Sequence, residues 1–384
     1  MDERLCLLGM RLVPGIGPKR IQTLLDHYGS ACAAWRCREA WAEVPGIGSA
    51  LAAAARGVDQ RHVEAHLRRL DALGARVVTM EDPEYPQGLL QIPAPPPVLF
   101  VKGPLPHDRQ PAVAIVGTRR ASPYGLRTAH ALARDLAAAG VAVVSGLARG
   151  IDGAAHRGAL DGDGFTVAVL GCGLDVVYPP ENKDLMEEIA AKGALVTEYP
   201  LGTQPQPGHF PARNRIIVGL VQGVILVEGS RRSGAMRTVT IAADCGREVL
   251  AVPGDVERWG SDGPNHLLRE GAALVRHAAD VLETMGWTAL VPVHEAAAAS
   301  EASGDQEEGP AAPGTRVALV TRLLAALQEG VGMTVDELAA AVEAPVEMVV
   351  GALMGLELAG RVVRHPGGRF GLPTSSQPGG RRPA

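Results

Sequence analysis

Six short apolar runs, each stopping at or beside a glycine or proline, constrain this chain more than any other feature. They read AVAIVG (112–117), VAVVSG (141–146), TVAVLG (166–171), ALVTEYP (194–200), GVILVEGS (223–230) and EVLAVPG (248–254). Apolar residues follow one another along these runs instead of alternating with polar ones. A strand of that kind is buried on both faces, as in a parallel sheet. Helical stretches such as GLRTAHALARDLAAAG lie between them, so residues 111–286 predict a doubly wound α/β sheet with helices on both sides. Ligands of such sheets sit beyond the carboxyl ends of the strands, where the order of strands reverses.

At 384 residues the chain has room for two or three domains. Residues 1–75 read as short helices broken by two similar turns, LVPGIGPKRIQTLL and EVPGIGSALAAAA. Each Pro-Gly-Ile-Gly turn opens a helix, and the pattern resembles the helix-hairpin-helix motif of DNA-binding proteins. In the first copy Gly15 and Gly17 would let backbone N–H groups face a phosphate, with Lys19 and Arg20 beside it. The alternative is a plain packing turn. The second copy carries Ser49 and Ala50 at the matching places and reads as structural. Residues 76–110 are proline-rich and predict an irregular extension packed on the sheet domain, which spans 76–290. Residues 291–314 are rich in Ala, Ser, Gly and Glu and read as a flexible linker. A winged helix is expected over 315–373, with Thr334 and Glu337 forming a capping box, then a disordered tail over 374–384.

Composition narrows the function. Five cysteines show no CxxC pair and no His/Cys cluster at ligand spacing, so neither a metal nor a disulfide framework is expected. No run approaches the roughly 18 unbroken apolar residues of a membrane span, and the reading is a cytoplasmic protein without membrane contact. A formal net charge of -5 means that any site for a polyanion must be local.

The strand ends supply such a site. After the first run, GTRRASPYG (117–125) lacks the third glycine of a dinucleotide fingerprint and carries Arg119 and Arg120 in its place. Gly117 and Thr118 then form a strand-to-helix turn whose N–H groups and guanidiniums suit a phosphate. Ser145, Gly146 and Arg149 follow the second run, Gly171 and later Lys183 the third. Asp152 and His156 suggest an acid/base pair, but without a nucleophile nearby they read as a helix cap and a loop-ordering histidine; Cys172 reads as a small buried residue. FPARNRI (210–216) places Phe210 beside Arg213, Asn214 and Arg215, the makings of a stacking platform with backbone clamps. The structural alternative is a core Phe210 and one arginine in an internal ion pair. Arg231, Arg232 and Ser233 follow the fifth run. The implied ligand is a chain of phosphates; no catalytic residue and no cofactor is assigned.

GTRRASPYG, SGLARGIDGAAH, GCGLDVVYP, FPARNRIIVGL, SGAMRT, AVPG and GPNHLLREGA, in that order over residues 80–285, resemble the DNA-processing protein A family (DprA, also called Smf). The resemblance implies an extended Rossmann-like domain that binds single-stranded DNA, dimerises through that domain, protects incoming single strands and loads the RecA recombinase during natural transformation. It also implies an N-terminal sterile-alpha-motif-like or helix-hairpin-helix domain and a C-terminal winged helix. The family's Gly-Ser-Arg turn is Gly117-Thr118-Arg119 here. Its lysine after Tyr-Pro is Pro180, with Lys183 as the nearest source of that charge. The alternative function is a Rossmann-like nucleotide-hydrolysing enzyme that cleaves nucleoside monophosphates. Such enzymes carry a Pro-Gly-Gly-x-Gly-Thr stretch, which EGSRRSGAMRT does not reproduce.

Overall fold

The structure, a computed structural model, describes residues 2–107, 109–287 and part of 322–372. It divides into two compact units, 1–301 and 302–384. The linker expected over 291–314 and the tail over 374–384 lie outside the described residues.

The first unit begins with helices α1 (Glu3–Leu12), α2 (Pro18–Tyr28), α3 (Ala31–Arg36), α4 (Ser49–Arg56) and α5 (Gln60–Ala72). The two Pro-Gly-Ile-Gly turns are the same structure twice. Gly15 and Gly46 sit in the left-handed region at φ +81° and +85°, which a side chain would strain. Ile16 N–H donates to Val13 O and Ile47 N–H to Val44 O, and both isoleucines are buried. An apolar anchor between two flexible glycines thus turns the chain and starts the next helix.

All six apolar runs are strands: β3 (Ala112–Val116), β4 (Ala142–Ser145), β5 (Thr166–Val169), β6 (Ala194–Thr197), β7 (Gly223–Leu226) and β8 (Glu248–Ala251). Two earlier strands, β1 (Ala75–Thr79) and β2 (Val98–Lys102), and the short β9 (Ala273–Leu274) complete a nine-stranded sheet of order β1-β2-β6-β5-β4-β3-β7-β8-β9. Strands β3 to β9 pair in parallel, while β1 and β2 are antiparallel. The proline-rich segment is therefore more regular than its composition predicts. Its prolines gather at 83–97 and from 104 onward, leaving 75–79 and 98–102 free to pair.

Between the strands run α6 (Pro123–Ala138), α7 (Ile151–Asp161), α8 (Lys183–Lys192), α9 (His209–Gly219) and α10 (Gly234–Asp244), with α11 (Asp262–Arg269) and α12 (Ala278–Thr284) after β8. The chain steps outward from β3 to β6, then returns to lay β7 on the other side of β3. The switch point is at β3 and β7, where a crevice must open. On the β6 side, one apolar core joins the N-terminal helices to the sheet, with Trp35, Trp41 and Leu70 in the same cluster as Phe100 and Leu195.

In the second unit, α13 (Val335–Ala341) starts with the expected capping box. Thr334 accepts from Glu337 N–H, and Glu337 accepts from Thr334 N–H. Strands β10 (Val363–His365) and β11 (Arg369–Gly371) form an antiparallel hairpin. The hairpin follows the capped helix, as in a winged helix, and Leu323, Leu338, Leu353 and Phe370 share one core.

Candidate nucleic-acid interface

A cleft of about 680 Å³ opens at the carboxyl ends of the parallel strands. Five strand ends supply its walls: Gly117, Thr118 and Arg119 after β3, Ala148 and Asp152 after β4, Tyr178 after β5, Gln206, Pro207, Phe210, Arg213 and Asn214 after β6, and Arg232 to Ala235 after β7.

The turn after β3 differs from the sequence expectation in one respect. Thr118 N–H donates to Glu228 O at 2.7 Å, Ser122 N–H donates to the Glu228 carboxylate at 2.8 Å, and the Ser122 hydroxyl donates to its other oxygen. Ser122 in turn caps α6 by accepting from Gly125 N–H. Glu228 is 4% exposed, and a Cβ at Gly125 would lie 2.4 Å from its carboxylate. A resident carboxylate thus occupies the helix N-terminus where a dinucleotide fold receives pyrophosphate. What the turn offers a phosphate is its side chains. Arg119 and Arg120 are exposed, and the Arg119 guanidinium lies 4.9 Å from the centroid of the Phe210 ring. Tyr178 packs on the same ring at 5.1 Å. A cation, a half-buried phenyl ring and a phenol are held together in the cleft, an arrangement fitted to a phosphate on one side and a base on the other.

Arg213 and Arg215 have internal work instead of the clamp expected of them. Arg213 is 3% exposed; its guanidinium donates to Gly146 O at 2.7 Å, to Val169 O and, through Nε, to Asn214 Oδ1 at 3.1 Å. Gly146 is required here, since a Cβ would lie 2.2 Å from that guanidinium. Arg215 forms an ion pair with buried Glu198 at 2.7 Å, and Glu198 O accepts from Arg11 Nε of α1. Both arginines bind parts of the fold together: Arg213 ties α9 to the ends of β4 and β5, and Arg215 ties it to the residue that follows β6.

The remaining predicted residues divide. Ser145 is fully buried and its hydroxyl donates to Ile115 O, which removes it from any ligand. Lys183 starts α8, exposed and 3.8 Å from Glu187, and is not in the cleft lining. Arg149 is paired with Glu181 on a small side pocket that also takes in Gly146, Gly171 and Phe210. Gly171 allows Phe210 within 3.1 Å of where its Cβ would stand. Arg231 pairs with Asp262 at 2.9 Å, whereas Arg232, Ser233 and Asn214 line the cleft. In the N-terminal hairpin, Arg20 donates to Gly15 O at 2.9 Å and Lys19 is exposed, as Gly15 is; Gly17 is half-buried. Gln206 and Pro207 line the cleft without having been singled out, and only the proximity of Phe210 in sequence hints at them.

Asp152 and His156 do not form an acid/base pair. Asp152 accepts from Gly146 N–H, and burial raises its carboxyl against the lowering effect of Arg213. His156 is fully buried between Leu147 N–H at 3.3 Å and the Thr166 hydroxyl at 2.7 Å, and burial pushes its imidazole down to about 3. It is a neutral ring that fixes the loop after β4. Burial likewise pushes the Cys172 thiol up to about 11, which removes the thiolate a nucleophile needs. Among the described residues no cluster of His, Cys, Asp and Glu is arranged to hold a metal ion.

Residues 76–286 match the family model of DNA recombination-mediator protein A, and residues 306–368 match that of the DprA winged helix domain. The chain is 33% identical to Protein Smf of Synechocystis sp., over 96% of this chain and 98% of that one. It is 39% identical to Protein Smf of Escherichia coli, over 80% of each. The X-ray structure of DNA processing protein A from Streptococcus pneumoniae is similar over 74% of this chain and 98% of that chain, with a TM-score of 0.65 and 35% identity.

Proposed function

Because this chain belongs to the DNA recombination-mediator protein A (DprA/Smf) family, we propose that it takes part in DNA processing by binding single-stranded DNA along the cleft at the switch point. The observation that carries this reading is the Arg119–Phe210 pair. Arg119 meets a backbone phosphate and Phe210 stacks a base, with Arg120, Arg232, Ser233 and Asn214 along the path. Sequence is not read, since phosphate contact and stacking accept every base. Glu228 argues against a dinucleotide, because its carboxylate already occupies the α6 terminus. Handing the strand to the RecA recombinase in natural transformation, in the cytoplasm and without catalysis, follows from the family resemblance. Pairing of two copies through the sheet domain likewise follows from the family resemblance.

Fluorescence anisotropy of a labelled oligo-dT tests the cleft. Wild type is expected to bind with a strong salt dependence and to prefer single strands over competing duplex. Arg119→Ala is expected to weaken binding about 10- to 100-fold, the range of one charge-assisted hydrogen bond, and to make the salt slope shallower by about 0.7. Affinity indifferent to both salt and this substitution would remove the cleft from DNA binding. Release of free base from a nucleoside monophosphate would point to the hydrolytic enzyme instead.

A further inference from the structure

The loop after β8, residues 253–261, presents an indole that the fold leaves in water. Trp259 is 59% exposed, in a chain with four tryptophans and 3% aromatic residues. Trp35 and Trp41 are buried, and Trp287 is half-buried. An exposed indole gives up the burial that usually stabilises a large apolar side chain. No ring contact or cation over its face compensates among the described residues.

Its position is fixed, and it is fixed to the cleft. Gly229 N–H donates to Gly260 O at 2.7 Å, next to Trp259, and Gly263 N–H donates back to Gly229 O at 2.8 Å. Arg231 is tied to Asp262 at 2.9 Å. The stretch from Gly229 to Ser233 therefore joins the Trp259 loop to the cleft wall, where Arg232 and Ser233 stand. Both loops leave the carboxyl ends of neighbouring parallel strands, β7 and β8. Two arginines of these loops have their charge balanced: Arg231 by Asp262, and Arg258 by Asp255 at 3.8 Å. Arg232 makes no ion pair with another described residue.

Resting on the cleft reading above, we infer that Trp259 is a second base-stacking station, outside the cleft, for a single strand that leaves it past Arg232. Arg232 meets the phosphate at the rim and the indole receives a base beyond it. A nucleic acid suits this face better than a folded protein. One tryptophan and the lone exposed Val256 fall far short of the roughly 800 Å² each partner contributes to a stable interface. Stacking one base asks for only one ring.

The test uses the full chain with labelled oligo-dT of about 5 and about 15 nucleotides, spanning the site sizes usual for such grooves. Trp259→Ala is expected to bind the short strand like wild type and the long strand about 5- to 100-fold more weakly, the fold-change of one lost base stack. Trp259→Phe is expected to recover most of that loss. In wild type, tryptophan emission is expected to be quenched by the long strand and not by the short one. Equal binding of both lengths by Trp259→Ala and wild type would overturn the proposal. A change of mass by light scattering in Trp259→Ala, in the absence of DNA, would also overturn it by assigning the indole to a second copy of the chain. Failure of the cleft reading looks different: Arg119→Ala would then bind the short strand as wild type does.

Discussion

Replacing Arg213 by alanine is expected to lower stability by about 3–5 kcal/mol, the cost of removing one partner from a buried charged network. The guanidinium reaches the carbonyls of Gly146 and Val169 at the ends of two adjacent strands, β4 and β5, and the side chain of Asn214. It also offsets the buried carboxyl of Asp152, which burial raises and Arg213 lowers. Alanine leaves two carbonyls and a buried carboxyl without that cation. Lysine is not expected to rescue it, because a single ammonium cannot reproduce a planar fork that reaches several acceptors. Urea unfolding followed by circular dichroism reads the effect as a lower midpoint at unchanged slope. Arg119→Ala, on an exposed side chain, is expected to stay within about 0.5 kcal/mol of wild type. A wild-type midpoint for Arg213→Ala would show that the buried network contributes nothing. If the loss occurs, weakened DNA binding in that variant reports a damaged fold, so Arg119 is the cleaner probe of the cleft.

That contrast shows where sequence reading reaches its limit. Residues 112–116 and 223–226 announce themselves as strands because burial on both faces demands unbroken apolar runs, and the glycines that stop them mark the ligand-facing ends. The doubly wound fold and the place of the cleft were legible for that reason. The direction in which an arginine points is a different kind of fact. Arg119, Arg213 and Arg215 look alike in the chain, all following strands near a glycine or a helix start. Arg119 extends over Phe210, whereas Arg213 is turned inward because Gly146 leaves it room, and Glu198 holds Arg215 across 17 residues of sequence. Glu228 was equally hard to read, since its partner Ser122 lies 106 residues away. Composition misled once, at 76–110, where prolines bound two strands instead of interrupting them.

Stability is expected to fall as the pH drops from 6.5 toward 5, and His156 is expected to account for about 2 kcal/mol of that loss. Burial holds its imidazole down at about 3, while in the unfolded chain it titrates near 6.5. Below 6.5 the unfolded state therefore takes up a proton that the folded state refuses. Each pH unit then favours unfolding by about 1.4 kcal/mol until the folded-state value is reached. His66, pushed down to about 4 chiefly by burial, acts in the same sense. Asp152 acts in the opposite sense, because its raised carboxyl accepts its proton first in the folded state. His156→Gln separates the contributions, since an amide keeps one acceptor for Leu147 N–H and one donor for the Thr166 hydroxyl without gaining a proton. The variant's stability between pH 6.5 and 5 is expected to decline less steeply than wild type, by about 1.4 kcal/mol per pH unit. Parallel pH profiles for the two proteins would rule out a buried neutral imidazole. The ring also holds Leu147, whose φ of +55° is left-handed, and the same loop carries Ala148 into the cleft. Because the folded state refuses the proton between pH 6.5 and 5, the bond from Leu147 N–H is kept over that window, and the expected loss is of stability and not of DNA binding by the folded protein.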